Sequence, residues 1–382
     1  MRMRSLLSVV AALGGLAFAA PASMSGPASP ATSPAPSAAA SSAAGPVDDG
    51  RRLCKDYSGT PSATSGAATG GPAAAGMVWI AGGSFVMGSD KFYPEERPLR
   101  HVSVTGYWID RTEVTNAQFA AFVAATGYRT VAERGLDPKL YPDMPDELRR
   151  PGSMVFFEPP PKARVRDITD WWRYVPGADW RHPKGPDSSI AGLENHPVVH
   201  IAFADAEAYA KWRGNTIPTE AEWEFAARGG LNGADYAWGD EQTPEGRWMA
   251  NSWQGFFPYE DDGKDGYHGT APVGCFAENG YGLFDMIGNV WEWATDGYQP
   301  GHASVANGTV NPVGPRAEAK PGPAGPVRVI KGGSWLCSPN FCGRYRPAAR
   351  QPQEADLGAN HIGFRTILRG HPPAQDAPDK RG

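Results

Sequence analysis

The sequence has no surplus of positive charge. Lysine and arginine number 36 against 41 aspartates and glutamates, a formal net charge of -5, and the pI is near 5.9. The basic footprint that phosphate backbones or anionic membranes attract is therefore missing, which argues against nucleic acid as a partner. Histidine is scarce, and the eight present supply no cluster on a helix of the kind a histidine-ligated iron centre needs. Cysteine is scarcer still, with only Cys54, Cys275, Cys337 and Cys342. No internal repeat of fixed period runs through the chain.

What is abundant is turn and anchor chemistry: 47 Gly, 37 Pro and 13 Trp, with 41% hydrophobic residues. Such a chain can bury one large core or two modest ones, but it favours irregular backbone over long helices. At the N-terminus, Arg2 and Arg4 precede an apolar run from Leu6 to Ala20 and the small-residue sites Ala17-Phe18-Ala19 and Ala20-Pro21-Ala22. The run falls short of the ~20 residues of a membrane-spanning helix, so residues 1–22 read as a cleaved signal peptide. Residues 23–76 are mostly Ala, Ser, Pro, Gly and Thr and read as a disordered linker. Patterned sequence occupies 77–369, and 370–382 reads as a disordered tail. The expectation is an exported chain, periplasmic or secreted, without stable membrane insertion once the signal is removed, and a monomer.

Within the patterned region, MVWIAGGSFVMGSD from Met77 alternates apolar residues around Gly82-Gly83 and suggests a hairpin. HVSVTGYWID reads as a strand, followed by a helix entered at Thr115 with Phe119 and Phe122 on its apolar face. A second helix is expected in FADAEAYAKWRGN, ending near Gly214. A third should be capped by Thr219 and stopped by Gly229. After Asn232 only short strands are expected.

The sharpest feature is the pair Cys337 and Cys342, separated by Ser-Pro-Asn-Phe. Pro339 disfavours a helix, and a loop could bring the sulfurs together. A structural disulfide and a labile dithiol both remain open. A bridge across so short a loop restricts the unfolded chain little, and two soft thiolates without nearby histidines suit low-coordinate Cu(I) better than zinc.

The stretch RVIKGGSWLCSPNFCGRYRPAAR, with NHIGFR at 360–365, resembles the C-terminal signature of formylglycine-generating enzymes, or sulfatase-modifying factors. The resemblance runs from about Met77 to Leu368 and includes WWRYVPGADWRHPKGP, NHPVVHIAF, IPTEAEWEFAARGG and NGYGLFDMIGNVWEW. The wider superfamily shares most segments; the CxxxxC pair after GGS separates the oxidase from its non-oxidase relatives. The resemblance implies an α+β, C-type-lectin-like fold with low regular secondary structure, a few helices around short antiparallel strands. It also implies a reaction on another protein, in which O2 oxidises the cysteine of a Cys-x-Pro-x-Arg motif in an unfolded sulfatase to formylglycine. Carried over by position, Cys337 and Cys342 would hold Cu(I), with the substrate thiolate as a third sulfur ligand. Ser334 and Trp291 would line the oxygen pocket, and the aromatic stretch Trp171 to Trp180 would contribute to the substrate groove. Ser338 stands where many relatives have His, so no imidazole role carries over. The half-cystines of two further disulfides in animal relatives map to Ala210, Ala227, Pro347 and Thr366, all lost here, which points to a bacterial type. Cys54 and Cys275 are candidates for a disulfide of their own.

Calcium is the second cofactor expectation. The loop ANSWQGFFPYEDDGKDGYHG is rich in oxygen ligands but is not an EF-hand, because Gly263 and Pro272 fall where that motif needs acids. By resemblance, one structural ion would take Asn251 and Asp265 side chains with the Ser252 and Tyr267 carbonyls. A second would take Asp285 and Glu292 side chains with the Gly288 and Val290 carbonyls. His196 and His200 in HPVVH have the interval of a metal pair, yet lie in an extended segment where they would not converge; both read as structural. Glu113 reads as a helix-entry charge, with an outer-ligand role as the alternative. The rival function is a non-catalytic protein- or sugar-binding module on the same scaffold, which the intact cysteine pair opposes.

Overall fold

The computed structural model describes residues 74–139, 141, 145–160, 162–317 and 326–370. The expected signal peptide, nearly all of the linker including Cys54, and all but the first residue of the tail lie outside the described residues. The rest forms an α+β assembly of three small sheets and a few short helices. Strands β1 (Met77–Met87) and β2 (Arg100–Asp110) pair antiparallel, and β9 (Ile367–Arg369) adds to the far edge of β2. Strands β3 (Gly152–Phe156) and β4 (Trp172–Pro176) form a ribbon. The third sheet runs β7 (Arg350–Glu354), β6 (Val327–Lys331), β5 (Trp291–Gly297), β8 (Ile362–Gly363), with β5 and β8 parallel.

The hairpin expected at Gly82-Gly83 is corrected. Both glycines lie inside one 11-residue strand in continuous register with β2. Gly82 has φ +78°, and a Cβ there would lie 2.4 Å from the Val104 carbonyl oxygen. The glycine thus serves a close approach of two strands and makes no turn.

The helices are α1 (Asn116–Thr126), the single turns α2 (Val131–Arg134) and α3 (Asp146–Arg149), α4 (Phe203–Arg213) and α5 (Glu220–Ala227). Thr115 caps α1 through the Gln118 N–H, and the Gln118 side chain returns the bond to the Thr115 N–H. Phe119 and Phe122 are buried against Tyr209 of α4. Gly127 and Gly214 close α1 and α4 in the left-handed conformation.

Helix α5 is the pillar beneath the site. Thr219 and Glu222 form its capping box, and all eight of its residues are buried. Its acids are tolerated there because each is paired: Glu220 with Arg350, Glu224 with Arg228 and Lys331, Glu222 with Arg369. Trp223 Nε1 donates to Glu292 of β5 at 2.8 Å, and its ring packs so tightly on Gly332 that a Cβ there would stand 3.0 Å from it. In this way α5 fixes where the chain leaves β6 and enters the cysteine loop.

Candidate active site

Beyond β6 the chain must reverse within a packed core, and Gly332 and Gly333 supply the left-handed backbone, with φ +91° and +77°. A Cβ at Gly333 would lie 2.9 Å from the Arg344 oxygen, so the two limbs of the loop meet at bare backbone. Successive turns follow. Cys337 N–H donates to Ser334 O at 2.9 Å, and Cys342 N–H to Ser338 O at 2.8 Å. This folding, with no helix through Pro339, brings Cys337 and Cys342 Sγ to 2.9 Å. Both thiols are free and buried, with relative exposures of 1% and 8%.

The two sulfurs differ in chemistry. Cys342 is lowered to about 7, first by the hydrogen bond from Cys337 and then by the Arg344 guanidinium, with burial opposing. Cys337 is pushed well up by burial and by its neighbour's charge. Together they act as a thiol and a thiolate sharing one proton. Arg344 is held by Glu95 at 2.5 Å and lies 3.8 Å over the Tyr93 ring.

Two soft sulfurs with an acidified member form a donor set that fits Cu(I). No group of three or more His, Cys, Asp or Glu with metal-binding geometry occurs among the described residues, so a four-ligand zinc site finds no support. Cys337 and Cys342 are the residues that would hold such an ion.

Ser334 is fully buried against the pair: its N–H points at Cys337 Sγ at 3.4 Å, and its hydroxyl accepts the Leu336 N–H. Trp291 lies in the same buried cluster as both cysteines. Ser338 donates to Asn340 Oδ1 at 2.5 Å, and Asn340 clasps both the N–H and the carbonyl of Phe257. Phe341 is partly exposed and stacks on Phe257 at 4.4 Å, with Trp171 edge-on at 5.9 Å. The expected groove residues divide: Trp171 borders the cysteine loop, whereas Trp180 packs on Phe119 of α1.

Of the four residues named for the first calcium, Ser252 and Tyr267 meet Asp265 through their N–H groups, at 3.0 Å each, while the Asn251 side chain turns to Gly269 O and Asn289 Oδ1. Asp265 also accepts from Gln254 Nε2 at 2.6 Å. Burial raises Asp265, and none of these donors is charged, which fits a cation. At the second site the backbone curls through left-handed Asp285, Gly288 and Asn289. A Cβ at Gly288 would lie 2.3 Å from the Asn251 oxygen, so the two sites abut. Burial raises Asp285 to about 6. Glu292 fits less well, because its two oxygens already receive Arg365 bidentately and Trp223 Nε1.

His196 and His200 do not converge. His196 faces Thr270, and His200 sits between Ser153 and the Pro183 carbonyl. The helix-entry reading of Glu113 is corrected: it is buried, bonded to Asn289, and raised well up by burial and the nearby Asp285 charge. Cys275 is disulfide-bonded; its expected partner Cys54 lies outside the described residues. Sequence reasoning missed Tyr93, Glu95 and Arg344 altogether. The contacts of Tyr93 and Glu95 with the cysteine loop join positions 250 and 249 residues apart, and no spacing rule announces them.

The family model for the sulfatase-modifying factor enzyme 1-like domain matches residues 64–369. A formylglycine-generating enzyme of Mycobacterium tuberculosis is 53% identical over 293 residues, covering 76% of this chain and 97% of that protein. One from Thermomonospora curvata is 49% identical, covering 76% of this chain and 93% of its own. Among solved structures, PvdO from Pseudomonas aeruginosa aligns with a TM-score of 0.53 at 24% identity, over 77% of this chain and 94% of that one, a likeness of fold. A match across the whole patterned region, at more than half identity to a relative covered almost end to end, places the chain in the formylglycine-generating enzyme family of sulfatase-modifying factors, oxidases that act on a cysteine residue.

Proposed function

We propose that the chain oxidises the cysteine of a Cys-x-Pro-x-Arg motif in an unfolded sulfatase to formylglycine, using O2 and Cu(I) held by Cys337 and Cys342. The observation that carries this reading is the pair of free, buried thiols whose Sγ atoms stand 2.9 Å apart beside the Arg344 guanidinium. The names of the relatives support the substrate class. In the balanced net reaction, R–CH2–SH consumes one molecule of O2, two protons and two electrons and gives R–CHO, one hydrogen sulfide and one water. The two electrons are drawn from an external thiol. Copper, when bound, supplies the one-electron chemistry toward O2 that zinc lacks. The chain's own groups prepare the site. In the metal-free state Arg344 favours the Cys342 thiolate and Cys337 retains the shared proton, which metal binding would release; the Ser334 N–H faces the Cys337 sulfur, and the burial of both sulfurs excludes water. We assign calcium to the Asn251–Asp265 loop and take residues 1–22 as an export signal; the N-terminal sequence of the mature protein checks the latter.

The deciding experiment incubates Cu(I)-loaded protein, O2 and a reducing thiol with a Cys-x-Pro-x-Arg peptide and follows thiol-to-aldehyde conversion by mass spectrometry. Wild type is expected to produce aldehyde, and Cys337→Ala and Cys342→Ala none. Absence of aldehyde from reduced, copper-replete wild type would defeat the proposal.

A further inference from the structure

The two sulfurs are held from different sides. Cys337 is fixed within its own loop and by Trp253, whose N–H donates to the Cys337 carbonyl at 3.1 Å. Cys342 is followed by Gly343, the residue type with the greatest backbone freedom. Space is not what requires glycine there: a Cβ would meet nothing nearer than Tyr93 Oη at 3.8 Å. Left alone, this joint would be the loosest in the loop.

Both polar groups of Gly343 are nevertheless restrained by one segment from the other end of the chain. The Gly343 N–H donates to Tyr93 Oη at 3.0 Å. The Gly343 carbonyl accepts from Arg346 Nε at 2.9 Å, and the Arg346 guanidinium is gripped by Glu96 through two bonds of 2.8 and 2.5 Å. Arg344 completes the contact, stacked on the Tyr93 ring and paired with Glu95. The segment is itself anchored, since Ser89 N–H bonds the Glu96 carbonyl and Arg350 the Glu95 carbonyl.

We propose that Tyr93, with Glu95 and Glu96, is a strap that sets the position of Cys342 Sγ against Cys337 Sγ, making Tyr93 a positioning residue of the dithiol centre. The inference rests on the reading that this pair is the reactive centre. By fixing the peptide planes on either side of Gly343, the strap removes the torsions through which Cys342 would swing away, and so presents two sulfurs already within reach of one another.

The test uses the full chain, metal-free, with 5,5'-dithiobis(2-nitrobenzoate), the Cys337–Cys342 pair reduced and the disulfide at Cys275 left intact. One protein thiolate attacks the reagent and releases a first aryl thiolate. The other then attacks the mixed disulfide, releases a second aryl thiolate and closes Cys337–Cys342. The second release reports how readily the sulfurs meet. Tyr93→Phe, which removes only the hydroxyl, is expected to slow that step about fivefold, the equivalent of one hydrogen bond. Its first release should stay near wild type, and its melting midpoint should fall by only about 2–4 °C, as the loss of one hydrogen bond requires. It should also weaken Cu(I) retention against a colorimetric chelator by a similar factor. An unchanged second release overturns the strap. Should Tyr93→Phe prove unstable, Glu95→Gln and Glu95→Asp decide: slower closure in the first, restored in the second, supports the strap, and wild-type closure in both overturns it. The two readings fail separately. Rapid wild-type closure without peptide turnover removes the proposed function, whereas turnover with wild-type closure in Tyr93→Phe removes the strap.

Discussion

Arg344 breaks the symmetry between the two cysteines. It lies two residues beyond Cys342, is buried, and is one of the influences that lower that thiol, whereas Cys337 is raised by burial. Deprotonation therefore begins on Cys342, and its reactivity should grow as pH rises through about 7. In metal-free, reduced protein, iodoacetamide labelling mapped by mass spectrometry should fall on Cys342 with an inflection there. Arg344→Gln should move the inflection up by about one unit, and Arg344→Lys should retain most of the effect. An inflection that does not move in Arg344→Gln would mean that the hydrogen bond from Cys337 acts alone. Residues at this scale were legible only where their signal is local. The cysteine pair declares itself by spacing, and Thr115 and Thr219 declare themselves by the glutamine and glutamate three positions on. Glu113 misled because TEVTN looks like a helix entrance, while the groups that meet its carboxyl are the Asp285 charge and the Asn289 amide, the latter 176 residues away in the chain. Tyr93 gave no signal, because a tyrosine hydroxyl facing a distant glycine amide follows no periodicity.

Helices were read well and strands unevenly, for a physical reason. A helix start is a local event: a β-region cap, a side-chain oxygen and an N–H two or three residues on. The caps of α1 and α5 and the glycine exit of α4 therefore stand where the sequence placed them. A Gly-Gly step is ambiguous by contrast, since left-handed backbone serves a turn or a tight strand approach equally, and for Gly82 the partner strand β2 decided. The helix with most at stake is α5, because its Trp223 supports both Gly332 and Glu292. Thr219→Ala should cost about 1 kcal/mol by urea unfolding. Peptide turnover should fall only in proportion to the folded fraction. A turnover loss in fully folded Thr219→Ala would mean that α5 controls the cysteine loop more directly than by support.

At the scale of the molecule, short ladders are supplemented by buried ion pairs that join distant segments: Glu96 to Arg346, Glu220 to Arg350, Glu224 to Lys331 and Glu292 to Arg365. Such pairs add little net stability, but losing one partner strands the other and costs about 3–5 kcal/mol. The carboxylates named for calcium divide on this point. Glu292 has its cation in Arg365, whereas Asp265 is met only by the neutral donors of Ser252, Gln254 and Tyr267 among the described residues. Calcium should therefore depend on Asp265 far more than on Glu292. Chelation with EGTA is expected to lower the wild-type melting midpoint, since an ion at about 100 times its dissociation constant stabilises by about 2.7 kcal/mol. Asp265→Asn should start lower and lose the EGTA response. Glu292→Gln should be destabilised by the stranded Arg365 guanidinium yet keep that response. A wild-type midpoint indifferent to EGTA and to added calcium would sink the calcium assignment. Loss of the response in Glu292→Gln would instead make Glu292 a ligand, with Arg365 displaced when the ion binds.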